Sequence, residues 1–262
     1  MIQVSFLRNG QRNGNYFMKR IMLTVAYDGT NYHGWQVQQN GETIEGVLNR
    51  CLSELLREKI EVIGASRTDS GVHARGNIAV FDTETRIEPL KIAYALNARL
   101  PEDIRIQESK EVDGSFHPRH CDSRKTYEYR IYNAPFPMPT ERLYAYFTYV
   151  PLSVERMREA AAYFVGTHDF KSFCSTDTQV ENTVRQIESM QVHKEDDLII
   201  IRVAGRGFLY NMVRIMAGTL MEVGRGNLEP GDIRRILEAK DRAAAGPTAP
   251  ACGLTLMKYE FL

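Results

Sequence analysis

The first half of the chain alternates between short apolar runs and one amphipathic stretch. Residues 21–27 and 104–109 are typical of strands, and so are residues 60–63 and 77–81, where β-branched residues recur. Residues 43–57 carry apolar positions at helical spacing over three turns. Pro89 starts a second predicted helix that runs through Asn97. The pattern therefore predicts a β-α-β-β-α-β unit.

The second half repeats this mixture of elements without detectable sequence identity to the first. Its predicted helices cover residues 153–164, 208–223 and 232–238. Its predicted strands cover residues 126–132, 185–193, 198–203 and 254–261. Two such halves predict an α+β fold, divided into residues 19–112 and 113–262. Residues 1–18 lack periodicity, and we expect them to be a disordered or loosely attached extension.

Composition places this chain among ordinary soluble proteins. Its 262 residues are 43% hydrophobic and 25% charged, and no apolar run approaches the length of a membrane span. Four widely spaced cysteines contain no CxxC pair, which favours free thiols and a cytoplasmic location. The net charge of +0 argues mildly against nucleic-acid binding. Basic residues nevertheless cluster locally, within 119–130 and 202–225.

The candidate chemistry centres on residues 64–74, which read GASRTDSGVHA. Asp69 lies on a short loop of small and polar residues between two predicted strands. A carboxylate held by rigid elements suits a nucleophile or a general base. The alternative is an Asx turn that caps a hairpin, since Asp and Gly are common turn residues. Spacing alone leaves both interpretations open.

The run RTDSGVHA at 67–74 resembles the signature of the tRNA pseudouridine synthase A family. Five further stretches agree with that family in order: YDGTNYHGWQ at 27–36, KTYEYR at 125–130, VGTHDF at 165–170, GFLYNMVR at 207–214 and CGLTL at 252–256. Together they cover the chain from about residue 19 to its end. Six motifs in the expected order are far more specific than any one of them.

The resemblance implies a pseudouridine-synthase fold, in which two similar halves share a central antiparallel sheet flanked by helices and enclose an active-site cleft. It implies that Asp69 is the catalytic nucleophile, that Tyr127 stacks on the substrate base, and that Arg214 pairs with Asp69. The implied activity is isomerisation of uridine to pseudouridine at tRNA positions 38 to 40 in the anticodon stem-loop. Enzymes of this family need no cofactor or metal, bind tRNA and act as homodimers.

Each of these residues also has a structural explanation. Arg67 lies two positions before Asp69, so it can form a salt bridge with that carboxylate or bind RNA phosphates and the space left by a flipped base. Tyr127 belongs to an alternating strand pattern that is usually packing. Arg214 can lie at the rim of an amphipathic helix, although a cation in an apolar stretch indicates a partner. His73 is expected to donate from the loop to backbone or RNA, the structural role being favoured.

Two rival functions remain at this point. A non-catalytic RNA-binding protein would keep the basic and aromatic residues without needing Asp69 opposite Arg214. A carboxylate-dependent hydrolase would normally show a second catalytic carboxylate or a metal cluster. The stretch HPRHC at 117–121 superficially resembles a zinc cluster, but it has no second ligand pair.

Overall fold

A computed structural model describes residues 18–176 and 180–262 of the chain. The expectation for the N-terminal extension falls almost entirely on residues 1–17, which lie outside this description. Within the described ranges ten strands join into one sheet. They are β1 (Lys19–Tyr27), β2 (Ile63–Gly64), β3 (His73–Thr83), β4 (Ile104–Val112), β5 (Ser123–Asn133), β6 (Tyr146–Thr148), β7 (Gly166–Asp169), β8 (Val184–Glu195), β9 (Leu198–Gly205) and β10 (Leu254–Phe261).

Helices flank this sheet in both halves. They are α1 (Ile44–Leu56), α2 (Pro89–Asn97), α3 (Val154–Ala162), α4 (Met212–Arg225) and α5 (Asp232–Ala239). One continuous apolar core spans both halves, including Trp35 and Leu48 from the first and Phe164 and Met216 from the second. A smaller cluster that includes Met22 and Val80 lies apart from it. The predicted α+β architecture is confirmed.

The two halves meet at one seam in the sheet. The main strand order is β4-β1-β3-β10-β5-β9-β8-β7, with β2 beside β3 and β6 beside β5. Neighbours are antiparallel except β5–β6 and the seam itself, where β3 and β10 are parallel. The sheet is therefore mixed at the place where the resemblance implied an antiparallel one. The division into residues 19–112 and 113–262 stays a prediction.

The pairing of β3 with β10 at the seam is short. Strands β3 and β10 pair only at His73–Thr255 and Ala74–Leu256. Strand β1 lies along the opposite edge of β3, so β2, which pairs at Ile63–Val80, occupies the side that faces the second half. The segment after β2 thus leads directly into the gap between the halves. That segment carries Asp69.

Two predicted elements differ from the structure for identifiable reasons. The strand expected at 60–63 shrinks to β2, because the backbone N–H groups of Ile60 and Val62 donate to Ser53 and Asn49 on α1 instead of to a neighbouring strand. The helix expected from residue 208 begins at Met212. Gly207 and Asn211 both have positive φ, at 85° and 59°, which excludes a continuous helix across them.

Other boundaries move by a few residues. Strand β3 begins at His73, four residues earlier than predicted, so His73 lies on a strand and not on the loop. None of the helices in the described part of the chain is long and apolar enough to cross a membrane.

Candidate active site

The loop that carries Asp69 is held in place by an earlier loop of the same half. The backbone N–H of Trp35 donates to the Thr68 carbonyl over 3.0 Å, and the backbone N–H of Gly71 donates to the Tyr32 carbonyl over 3.3 Å. Gly34 must be glycine, because it has φ of 82° and a Cβ there would lie 2.6 Å from the Thr68 oxygen. Asp69 therefore has a backbone fixed on both sides.

The Asn77 side chain, on β3, fixes the start of this loop. Its amide is fully buried, accepts from the Ser66 N–H over 3.2 Å and donates to the Ser66 carbonyl over 2.9 Å. The same side chain lies 3.4 Å from the Tyr27 hydroxyl, which shares a 2.7 Å hydrogen bond with Thr68. This one side chain thus supplies the hydrogen bonds that a neighbouring strand would otherwise give to the backbone leading to Asp69.

Arg214 reaches Asp69 from the other half of the molecule. Its Nη1 lies 3.2 Å from Asp69 Oδ2, and both side chains are mostly buried, with 17% and 16% exposed. Two further acceptors orient the guanidinium: Nε donates to the Ala249 carbonyl over 2.7 Å, and Nη1 donates to Asn211 Oδ1 over 2.8 Å. The structure therefore brings together two residues that sequence reasoning placed in one site.

Burial and charge act on Asp69 in opposite directions. Desolvation raises the pKa of Asp69 above its ordinary value, and this effect exceeds the lowering by the Arg214 charge and hydrogen bond. The resemblance implied that Arg214 keeps Asp69 ionised, and the direction of its effect agrees. The net shift is nevertheless upward, so the carboxylate is more basic than an exposed one.

Tyr127 lies on β5, beside the same cleft as Asp69. Its side chain is 8% exposed, and its ring meets Phe208 edge to face, with centroids 5.1 Å apart. Burial raises the pKa of the Tyr127 hydroxyl well above its usual range, and Tyr27 and Asp69 add to this. The hydroxyl therefore stays neutral and can donate a hydrogen bond.

A cleft of about 590 Å³ unites these residues. Residues of both halves line it, among them Arg67, Asp69, Tyr127 and Phe208. Arg67 is exposed, and within the described ranges it makes no ion pair with Asp69 or another acid. The structural alternative for Arg67, a salt bridge to Asp69, is absent from this conformation.

The basic clusters noted in the sequence are largely neutralised within the protein. Most of their arginines contact an acid within 4 Å, the distances being 2.7 Å for Arg202–Glu128, 3.1 Å for Arg206–Asp122, 2.6 Å for Arg225–Glu222, 3.1 Å for Arg124–Glu260 and 3.4 Å for Arg130–Glu128. The sequence left RNA binding by these two clusters undecided, and electrostatic binding of tRNA stays a prediction.

His73 connects the halves at the seam. Its Nδ1 accepts from the Gly29 N–H over 3.1 Å, and its Nε2 lies 3.2 Å from the Cys252 carbonyl. These contacts agree with the structural role that the sequence favoured. In the HPRHC stretch at 117–121, which superficially resembled a zinc cluster, the rings of His117 and His120 stack with centroids 3.9 Å apart.

Sequence reasoning missed Asn77, Asn211 and Phe208. Asn211 stands three residues before Arg214, the spacing at which neighbours on a helix meet, and its positive φ is typical of Asn. Phe208 was visible only as an aromatic residue in a motif. Asn77 had no signal, because its role depends on the close approach of the loop that carries Asp69.

Comparison with known proteins decides the family. A family model described as tRNA pseudouridine synthase matches residues 23–120 and 160–261. The chain belongs to the tRNA pseudouridine synthase family. This is an isomerase family, so the prediction of an enzyme of this class is confirmed.

Individual relatives agree over nearly their whole length. Proteins named tRNA pseudouridine synthase A are 46% identical over 241 residues in Thermoanaerobacter sp. and 49% identical over 245 residues in Ruminiclostridium cellulolyticum. These alignments cover 92% and 93% of this chain, and 99% and 100% of the relatives. A third, from Bacillus licheniformis, is 45% identical and covers 91% of this chain and 98% of its own length.

Proposed function

We propose that this protein converts uridine to pseudouridine in tRNA, at positions 38 to 40 of the anticodon stem-loop. The observation that supports this most is the meeting of Asp69 and Arg214, 145 residues apart in the chain, in one cleft beside Tyr127. Family membership supports the reaction, and the motif resemblance described above supports the positions.

The proposed reaction rearranges one nucleotide without net gain or loss of atoms. The bond from C1′ to uracil N1 breaks and a bond from C1′ to C5 forms, while a proton leaves C5 and N1 gains one. Asp69 is the proposed nucleophile. Its raised pKa makes it a stronger base than an exposed carboxylate. It can add to the sugar or the base, or remove a proton from the sugar.

The neighbouring residues have supporting roles in this proposal. Arg214 holds Asp69 in one orientation and favours its charged form, because the guanidinium lies 3.2 Å away. Tyr127 offers an aromatic face for an extruded uracil and a neutral hydroxyl for proton movement. Arg67, exposed at the cleft, is available for RNA phosphates or for the space that the flipped base leaves.

We also propose a cytoplasmic homodimer. The net charge of +0 and the internal ion pairs leave each chain with a modest basic surface. Two chains that line one groove would combine their free cations on a single tRNA. Light scattering of the purified protein tests the dimer, and a monomer that modifies tRNA at full rate would contradict the dimer.

The deciding experiment uses purified protein and an unmodified tRNA transcript. Pseudouridine mapped at positions 38 to 40, and absent with Asp69→Asn, is the expected result. Product at other positions would contradict the site but not the reaction. Tight tRNA binding by the wild-type protein without product would favour the non-catalytic alternative.

A further inference from the structure

We propose that Lys125 and Arg119 form a subsite for one phosphodiester of the RNA, the linkage directly flanking the uridine in the cleft. This inference rests on the proposed function. It adds a binding site that is distinct from Asp69, Tyr127 and Arg214. Its basis is the placement of two cations without an anionic partner.

Strand geometry places Lys125 beside Tyr127. The two residues are two positions apart on β5, so their side chains point to the same face, with Cα atoms about 7 Å apart. Both residues line the cleft. A uracil stacked on Tyr127 would therefore bring a phosphate of its own backbone within reach of Lys125.

Backbone carbonyls at the end of β2 and directly after it hold both cations. Lys125 Nζ lies 3.4 Å from the Ala65 carbonyl and 5.4 Å from the centroid of the Tyr259 ring. Arg119 Nε donates to the Gly64 carbonyl over 2.8 Å. Two consecutive carbonyls thus fix the cations side by side. In the described ranges the terminal Nη groups of Arg119 make no hydrogen bond, so they stay available to a ligand.

Their charge is not balanced within the described part of the protein. Neither Lys125 nor Arg119 lies within 4 Å of a carboxylate there. The nearby acids have other partners, since Asp122 binds Arg206, Glu260 binds Arg124, and Asp69 binds Arg214. Glu45, whose charge acts on Arg119 from beyond 4 Å, accepts from the Val37 N–H. Placing two like charges together without a counterion is costly, and a bound anion would remove that cost.

The electrostatics support this geometry. Burial lowers the pKa of Lys125 to about 8, and the Arg119 charge acts in the same direction. Burial and the Arg67 charge lower the pKa of Arg119, and these effects exceed the opposing effect of Glu45. The shift of Lys125 is the one expected where a cation has been withdrawn from water without a carboxylate to compensate it.

The chemistry of the two side chains favours a phosphodiester. The fork of Arg119 can donate two parallel hydrogen bonds to phosphate oxygens, while Lys125 supplies a compact charge. A phosphodiester is a permanent anion and is present at every step of an RNA chain. The subsite would therefore fix the register of the strand without reading its sequence.

A chemical-mutant cycle tests this proposal with a synthetic anticodon stem-loop RNA. The RNA carries one neutral methylphosphonate, either 5′ or 3′ of the target uridine, and its Kd is measured with wild-type protein and Lys125→Met. We expect either change alone to weaken binding about tenfold, the size of one charge-assisted hydrogen bond. At one of the two linkages we expect the protein variant and the methylphosphonate together to weaken binding little more than either change alone.

Controls separate this subsite from general charge effects. Lys91→Met removes an exposed lysine on α2 that pairs with Glu88, and it should show no coupling to either linkage. A methylphosphonate within the distal stem should show no coupling to Lys125. Lys125→Arg keeps a cation and should bind the unmodified RNA within a few-fold of wild type, which also controls for misfolding.

The pH dependence of binding gives a second readout. Lys125 loses its proton as pH rises through about 8, so RNA affinity of the wild-type protein should decline there. Arg119, Cys121 and Tyr259 are the charged or titratable groups that face Lys125. Burial raises the pKa of Tyr259 to about 12, which leaves it neutral in this range. The decline should persist in Cys121→Ala and disappear in Lys125→Arg.

Strictly additive effects at both linkages would overturn the phosphate subsite. So would a pH-dependent decline that Lys125→Arg leaves unchanged. Because these measurements report binding, they are independent of turnover. Wild-type protein that makes pseudouridine but shows no coupling would contradict only the subsite, whereas coupling without product would contradict only the proposed reaction.

Discussion

Asp69 and Arg214 are contributed by opposite halves of the molecule and meet with Nη1 and Oδ2 3.2 Å apart. Each is also held by its own half, Asp69 by the loop that Trp35 and Tyr32 fix, and Arg214 by Asn211 and Ala249. The ion pair therefore depends on how the two halves are joined. A change on either side of the seam would alter the same carboxylate.

The first prediction concerns the charge of Asp69. Asp69→Asn keeps the shape of the side chain but removes the anion, so we expect single-turnover pseudouridine formation to fall by at least about three orders of magnitude, about 4 kcal/mol of barrier. tRNA affinity should stay within a few-fold of wild type. Wild-type turnover by this variant would overturn the assignment of Asp69.

The second prediction concerns the pH dependence of the reaction. If Asp69 acts as an anion, activity falls as pH drops through its pKa. Arg214 lowers that pKa against the larger effect of burial. Arg214→Ala should therefore move the acid limb of the rate profile to higher pH. Arg214→Lys keeps the charge but loses the planar fork, so it should shift the limb less and still slow turnover.

A double-mutant cycle distinguishes this role of Arg214 from support of the fold. When Asp69 is already Asn, removal of Arg214 should cost less in rate than it costs in the wild type, since the two residues act together. Single-turnover rates measure this wherever residual activity permits. Additive losses, or an unmoved acid limb, would return Arg214 to a structural role.

The third prediction separates the ring of Tyr127 from its hydroxyl. Tyr127→Leu removes the stacking face and should weaken binding of the target nucleotide by about 1–3 kcal/mol. Tyr127→Phe keeps the face, so affinity should be retained while turnover slows if the neutral hydroxyl moves a proton. Tyr94→Leu, at an exposed position on α2, is the control. Equal behaviour of the Tyr127 variants would argue against stacking.

Local apolar patterns in the sequence predict most elements of the fold, but not the seam that joins β3 to β10. Most helices and strands follow from apolar periodicity, because each buries one face in a shared core. The Asp69 loop and Arg214 were identified by motif, although the distance between them depends on the parallel pairing of β3 with β10. That pairing involves two residues on each strand and has no local pattern.

The features that the sequence could not predict depend on contacts between segments. Residues 60–63 have strand-like apolar residues, but Ser53 and Asn49 on α1 take their backbone N–H groups. The composition of the basic clusters left RNA binding undecided, and the sheet then places Glu128 opposite Arg202. These partners lie 7, 13 and 74 residues from the groups they bind and belong to other elements, so neither propensity nor composition can indicate them.

The fourth prediction concerns salt. Phosphate contacts release counterions, so tRNA affinity should fall as ionic strength rises. Because Arg67 is exposed in the cleft and makes no ion pair with a described acid, Arg67→Met should reduce the slope of log affinity against log salt by about 1. Arg235→Met, which removes an arginine paired with Asp232, should leave it unchanged. Salt-independent affinity would contradict electrostatic binding.

The last prediction assigns Asn77 to positioning of the Asp69 loop. Its amide holds both backbone groups of Ser66, three residues before Asp69, and is fully buried. Asn77→Ala leaves these groups without partners and should lower the free energy of unfolding by about 2 kcal/mol or more. Because the loop would also lose its fixed path, we expect kcat to fall about tenfold or more while tRNA affinity is retained.

A matched control exists on the far side of the first half. Asn97 holds both backbone groups of Ile106 in the same way, over 2.8 Å each, between α2 and β4. Asn97→Ala should therefore reduce stability without changing kcat at temperatures where both variants are folded. Thermal unfolding and single-turnover rates measured on the same preparations compare the two. Equal kcat for both variants would mean that Asn77 supports only the fold, whereas a loss confined to Asn77→Ala ties the buried amide to the placement of Asp69.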